Sequence, residues 1–462
     1  MKKQLLNLTF ILIIGYMHGQ CFSELRLGGH VVTVKTDGTL WGWGYGGWGQ
    51  LANAAMNNPS SPVQIGTMNN WVSAYNGLIT TFGVKQDGSL WGVGGNSYGC
   101  LGVGSSAQDY YTSFQQVTSY TDWVDVRGAY FFTVGLRANG TIWAWGQGDQ
   151  GQMGNGTTPM AQPTPTQVGT DTDWASIAVD ASRTAIAIKN NGTVWGWGAN
   201  TGYMLYAGSS VTSYTLPTQL NTDTDWAKVC LGGHHVLAQK TDGTLWVWGG
   251  AYDAMGVGQN YVDVATPAQI GTDTWRSFTA DPNASFGVKS DGTLWAWGFN
   301  TEGELGDGTT INQPLPVQIG TDADWVSVIT KLYAPTIAVK EDGSVWAWGD
   351  NTYGTYGNGT YTNSLTPVEV IGICVDTPLT TPEFEQPTIR LYPNPTTDKV
   401  TIDSALNLTE YTITNLLGQT VAKGTLIEGQ KEIDMQAYSL GTYIVHLTTT
   451  SGANYTYKIV KH

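Results

Sequence analysis

A four-residue signature returns seven times along this chain, and any fold must accommodate it first. Trp41-Gly42-Trp43-Gly44 recurs as Trp91-Gly92-Val93-Gly94 and Trp143-Ala144-Trp145-Gly146. It returns from Trp195, Trp246, Trp295 and Trp346, each time closing on Gly: Gly198, Gly249, Gly298 and Gly349. The leading tryptophans stand 49 to 52 residues apart. Self-similarity at a fixed period of this length marks a repeat architecture in which each unit buries its apolar face on the next.

Each unit reads as four short strands. A strand opens with Trp, as in Trp325-Val326-Ser327-Val328, and an alternating one follows, as in Thr336-Ile337-Ala338-Val339-Lys340. Then comes Asp-Gly or Asn-Gly (Asp37-Gly38, Asp87-Gly88, Asn139-Gly140, Asn191-Gly192, Asp242-Gly243, Asp291-Gly292, Asp342-Gly343), which predicts type I′ hairpins. The Trp-bearing strand follows at once. A Gly-rich loop leads to a fourth strand such as Pro316-Val317-Gln318-Ile319, and an Asp-rich turn starts the next unit. Four antiparallel strands in about 50 residues make a propeller blade. The expected fold is all-β: a seven-bladed β-propeller of four-stranded blades plus a small C-terminal β-sandwich domain. The tryptophans of each signature are expected to be largely buried between blades.

Composition agrees. Gly is 60 and Trp 20 of 462 residues, and only 12% of residues are charged, which excludes a coiled coil, a helical bundle and an acidic disordered chain. The net charge is −15, without the basic footprint that nucleic acid requires, so no nucleic-acid partner is expected. Lys2-Lys3 and the apolar run Leu5 to Met17 have the layout of a secretory signal peptide over residues 1–20.

The pattern Asp-Trp-x-x-Val … Ala-Val-Lys-x-Asp-Gly-Thr-Leu-Trp-x-Trp-Gly resembles the regulator-of-chromosome-condensation repeat family, most clearly over Asp324 to Gly349 and across about residues 22–373. The resemblance implies a seven-bladed propeller. The family's founder is a chromatin-bound exchange factor for a nuclear GTPase; a secreted acidic chain without a basic tail is not expected to share that role. A closer analogue is a secreted bacterial propeller of this repeat class that inhibits β-lactamases through one face. All tryptophans lie between 41 and 348. The expected domains are a propeller over 21–376, a Pro/Thr-rich linker over 377–387 and a C-terminal domain over 388–462. Leu391-Tyr392-Pro393-Asn394-Pro395, Gly441-Thr442-Tyr443 and Lys458 to Lys461 resemble the C-terminal sorting domain of the type IX secretion system. That resemblance implies outer-membrane secretion machinery as a partner, a Bacteroidota-type cell, and a protein secreted or attached to the outer surface.

No zinc spacing, HExxH, GxSxG, P-loop or dinucleotide motif occurs, so no cofactor, metal or catalytic set is expected. Glu302, Glu304 and Asp307 cluster without the ligand spacing of a calcium loop. Cys21 and Cys374 bracket the propeller, and in a closed ring the first and last strands are neighbours, so these two are expected to form a disulfide clasp. Cys230 is expected in the core. His30 and His234, each after Gly-Gly, are expected at equivalent structural positions.

In such blades the turns after the first and third strands share a face, and this face varies in sequence. Its candidate binding residues are Tyr75, Tyr130, Phe131, Arg183 and Tyr333 near the axis, with Trp48, Tyr98, Tyr252 and Tyr353 further out. The expected function is a secreted or cell-surface monomer that binds a protein or surface glycan through this face without catalysis. The alternative is an extracellular polysaccharide-active enzyme using carboxylates there.

Overall fold

The computed structural model describes residues 21–180, 183–205, 211–250, 253–258, 263–376, 390–392, 396–403, 408–415, 419–426, 432–439, 441–449 and 454–461. The proposed signal peptide, the linker and Tyr252 lie outside them. The chain divides into two compact units, Met1–Leu379 and Thr380–His462.

The first unit is a propeller. Within a repeat the strands run as an antiparallel meander, for example Trp71–Asn76, Thr80–Lys85, Leu90–Gly95 and Tyr110–Gln116. Five such four-stranded sheets are separate. A seven-stranded sheet joins the fifth and sixth repeats through one continuous strand, Val264–Ala280, which ends one unit and begins the next.

The Asp-Gly hairpins are not type I′. Lys35 C=O accepts from the Gly38 N–H and Lys35 N–H donates to Thr39 C=O, both at 2.9 Å. Only the glycine is left-handed, at +75° to +85° in all seven copies. This is a three-residue loop, a type I turn closed by a glycine bulge. It frees the preceding acid for another task. Asp37 Oδ1 accepts from the Thr39 N–H (2.9 Å) and hydroxyl (2.5 Å), and Thr39 Oγ1 accepts from Trp41 Nε1–H (2.8 Å). The same relay recurs at Asp242, Thr244 and Trp246. The sequence Asp-Gly-Thr-x-Trp is thus one hydrogen-bonded unit.

In the six signatures that carry two tryptophans, the two part company. The second is fully or almost fully buried (Trp43, Trp145, Trp197, Trp297 and Trp348 at 0%, Trp248 at 4%). Several tie one repeat to the preceding one: Trp197 Nε1 donates to Gln152 O at 2.9 Å, and Trp297 Nε1 to Ala254 O at 2.9 Å. The first tryptophan is only half-buried, against the expectation for it. A Lys or Arg ending the second strand lies over its ring, as with Lys85 on Trp91 at 3.5 Å and Lys289 on Trp295 at 3.6 Å. That cation replaces the next blade as its cover.

The ring closes at a seam between the first and last repeats. Cys21 and Cys374 are disulfide-bonded, with Cα atoms 4.8 Å apart. Phe22 bridges in parallel to Val375, its N–H donating to Cys374 O at 2.9 Å. Trp43 Nε1 donates to Thr355 O at 3.0 Å across the same seam.

In the second unit, a three-stranded sheet (Arg390–Tyr392, Lys399–Asp403, Glu432–Asp434) and a four-stranded sheet (Thr420–Thr425, Leu408–Asn415, Gly441–Thr449, Asn454–Lys461) share one core. Val400, Ile402, Ile413, Ile433, Val445, Leu447 and Ile459 fill it.

Candidate binding face

Except in the sixth repeat, whose first strand continues the last strand of the fifth, the first strand of each repeat forms one edge of its sheet, and first strands of neighbouring repeats pack on one another. The turns that follow them therefore converge. All seven contribute to one depression of about 460 Å³, measured to its open mouth. Leu27 and Gly28 come from the first repeat, Asn76 to Leu78 from the second, Gly128 to Tyr130 from the third and Asp180 from the fourth. Leu231 and Gly233 come from the fifth, Ala280 to Pro282 from the sixth, and Lys331 and Leu332 from the seventh. Apolar side chains dominate the wall, and Asp180, Asp281 and Lys331 add charge.

Asp281 Oδ1 caps its own turn, accepting from the Asn283 and Ala284 N–H groups at 2.7 Å each. Burial pushes its carboxyl up to about 6, and Glu304 adds to the rise, while the turn's N–H groups and Lys331 oppose it. Lys331 Nζ reaches from the seventh repeat to Val179 O of the fourth, at 3.5 Å.

Around this pocket lies a partial ring of aromatic side chains. Tyr45 and Tyr353 pack with ring centroids 4.8 Å apart, Tyr98 and Phe131 at 5.3 Å, and Tyr130 and Phe131 at 4.2 Å. Burial first, then the neighbouring Tyr353 and Tyr130 phenols, push the Tyr45 hydroxyl above its ordinary range. The second loop ring thus meets the pocket through Tyr130. Trp48 is half-buried, its N–H donating to Gln50 Oε1 at 2.9 Å. Tyr333 stands 64% exposed. Arg183, 43% exposed along its side chain, pairs with Asp149 at 3.5 Å.

Backbone strain gathers on the same side. Among the described residues, six without glycine's freedom take left-handed φ: Ala52, Met56, Tyr98, Arg183, Tyr203 and Tyr333. All sit in turns after first or third strands.

Three sequence assignments change. Tyr75 is 6% exposed, and its hydroxyl donates to Val124 O of the next repeat at 2.8 Å. It belongs to the strand Trp71–Asn76 and serves the blade interface. A bulge after Trp71 shifts the alternation that a plain strand would have. The histidine equivalent to His30 is His235, not His234, because the fifth turn is one residue longer: Gly28 N–H meets His30 O, while Gly232 N–H meets His235 O. His30 Nε2 lies 2.6 Å from Thr81 Oγ1, and His235 Nε2 lies 2.8 Å from Ser285 Oγ. Each stitches its repeat to the next. Cys230, expected in the core, is half-buried.

Asp281, Lys331 and Tyr45 lie in turns that the sequence assigns to this face, but they are not among its candidate binding residues. Tyr45 carried a signal, since it follows the first signature directly. Asp307 is committed to its own loop, accepting from Thr309 N–H at 2.8 Å and Asn300 Nδ2 at 3.0 Å. Among the described residues no three metal-ligating side chains gather.

Regulator of chromosome condensation (RCC1) repeats match residues 139–185, 191–239, 291–329 and 336–355. A secretion system C-terminal sorting domain matches residues 390–462. The chain is 26% identical over 196 residues to the ultraviolet-B receptor UVR8 of Arabidopsis thaliana, covering 39% of this chain and 42% of that one. It is 26% identical over 247 residues to the mitochondrial RCC1 domain-containing protein RUG3 of the same plant, covering 50% and 54%. The chain thus spans about half or less of these relatives. Among solved structures, yeast RCC1 (Prp20) bound to Kap60 matches with a TM-score of 0.63 at 18% identity, covering 80% of this chain and 91% of that one. Human WBSCR16 matches with a TM-score of 0.61 at 20% identity, covering 68% and 86%. These structures share the propeller fold. The chain carries RCC1 repeats on a propeller and a sorting domain that marks it for type IX secretion, to the medium or the cell surface.

Proposed function

We propose that a chain with these repeats and this tail is a secreted propeller that binds a protein partner through the face formed by the turns after the first and third strands. The observation that carries this reading is the concentration of aromatic side chains and left-handed residues there. The opposite face repeats the same Asp-Gly or Asn-Gly hairpin seven times. Strained, varied loops on a rigid ring are where recognition is built, and aromatic anchors dominate such interfaces. The test uses the immobilised full chain against culture fluid and against a glycan array, in parallel with Tyr130→Ala and Tyr98→Ala. A captured protein should lose about 2 kcal/mol or more of binding with either variant. Capture that both variants leave intact, or binding confined to glycans, sinks the reading.

One observation favours a second reading. The Asp281 carboxyl, pushed up to about 6 by burial and further by the charge of Glu304, suits a general acid in a polysaccharide-active enzyme. Hydrolysis of a polysaccharide panel that Asp281→Asn abolishes would establish it.

A further inference from the structure

We propose that the axial pocket receives one basic side chain, arginine or lysine, from a loop tip of the partner protein, and that Lys331 holds the place of that guest beforehand. This rests on the protein-binding reading of the same face.

The pocket offers what such a side chain needs. Leu27, Leu78, Leu231 and Leu332 line it with apolar surface for an aliphatic stem, and Tyr130 adds a ring at which a cation is favoured. Asp281 supplies the anion. The hydrogen bonds of its own turn fall on Oδ1, which leaves Oδ2 for a guest. Glu304 acts on Asp281 as a like charge, so a cation arriving there relieves an unfavourable pair.

Lys331 is tied unlike three of the lysines that end second strands. Lys189, Lys240 and Lys340 are each gripped by two aspartates within 3.2 Å. Lys331 makes no ion pair among the described residues and rests its ammonium on the Val179 carbonyl, the full width of the pocket away from its own turn. A long flexible stem on a single weak contact can swing to solvent at little cost. The wider face also selects for charge. Asp149, Asp180, Asp281, Glu302, Glu304 and Asp350 outnumber Arg183 and Lys331, and Arg183 is already paired with Asp149. An anionic guest would meet that field unfavourably.

The experiment titrates the full chain by NMR at neutral pH with four small probes: the Nα-acetyl methylamides of arginine, lysine, norleucine and glutamate. The arginine or the lysine compound should saturate in the millimolar range, with norleucine and glutamate at least about tenfold weaker. Asp281→Asn keeps the Oδ1 acceptor that its turn requires; it should weaken the basic probes about tenfold with an unchanged melting temperature. Lys331→Met should tighten them about threefold or more. Norleucine or glutamate binding as well as arginine overturns the proposal. So does weaker binding in Lys331→Met, or failure of both basic probes to saturate. The partner then separates the two ideas. Binding lost in Tyr98→Ala but kept in Asp281→Asn defeats the pocket and leaves the face standing; binding kept in both defeats the face.

Discussion

The lysine that ends a second strand shows how one side chain's worth depends on its turn. Lys189 sits between Trp174 and Trp195, 4.9 and 4.8 Å from their centroids, and is held by Asp171 and Asp173. Burial works against its charge, but the two aspartates outweigh it, so its pKa lies above the ordinary value. Lys85 has equivalent rings, yet Met68 and Asn70 stand where those aspartates would be, and burial lowers its pKa. Lys189→Met should therefore cost about 1–2 kcal/mol, and Lys85→Met about 0.5 kcal/mol or less; paired urea denaturation measures the difference. The buried histidines set a second dependence. Burial lowers His30 and His235 from 6.5 to about 3. Between those values the unfolded chain takes up protons that the fold refuses, so stability is full above pH 6.5 and falls as pH drops toward 3. Each histidine contributes a slope of up to about 1.4 kcal/mol per pH unit. Denaturation midpoints between pH 7 and 4 should fall less steeply in His235→Gln than in the parent.

At the scale of the element, the hairpins carry the repeat and the loops carry its variation. A Cβ on Gly88, at φ +79°, would stand 1.8 Å from Thr121 O of the adjoining turn. Gly104 has φ +85° and open space around it. Gly88→Ala should cost about 3 kcal/mol or more, from left-handed strain plus the clash, and Gly104→Ala only about 1 kcal/mol; calorimetry of both variants tests this. The four-stranded meander was legible because Asp/Asn-Gly-Thr/Ser-x-Trp is local chemistry repeated seven times. The type I′ assignment failed because a glycine bulge asks for the same left-handed glycine. Tyr75 and His234 were misplaced by single-residue events, a strand bulge and a longer turn, which leave no mark on apolar periodicity. The axial pocket was less legible still. Asp281 and Lys331 lie 50 residues apart in the chain, and only the packing of the sixth repeat on the seventh brings their turns together.

At the scale of the whole molecule, the seam is where the ring is made rather than inherited. At five other junctions the Trp that opens a repeat donates its backbone N–H to the preceding hairpin glycine, as Trp325 does to Gly292 O at 3.1 Å. At the seam Val375 takes that place, donating to Gly343 O at 3.0 Å beside the Cys21–Cys374 bond. Removing the bond should cost about 2–4 kcal/mol, and the loss should be local. Hydrogen exchange in Cys21→Ser/Cys374→Ser should speed up over Phe22 to Leu27 and Ser364 to Cys374, with the third and fourth repeats unchanged. Uniform acceleration around the ring would show instead that the propeller opens as one unit.

The position of the disulfide also decides how the propeller carries load. A tug on the chain beyond Asp376 reaches the ring at the end of the strand Ser364–Cys374. Without a bond there, that tug would unzip the strand from Ser344–Gly349 one hydrogen bond at a time, the least resistant way to open a sheet. Cys374 is the strand's last residue, and the bond passes the tension straight into Cys21 at the opposite terminus of the ring. Peeling has no free end from which to start, so the molecule behaves under traction as a closed link.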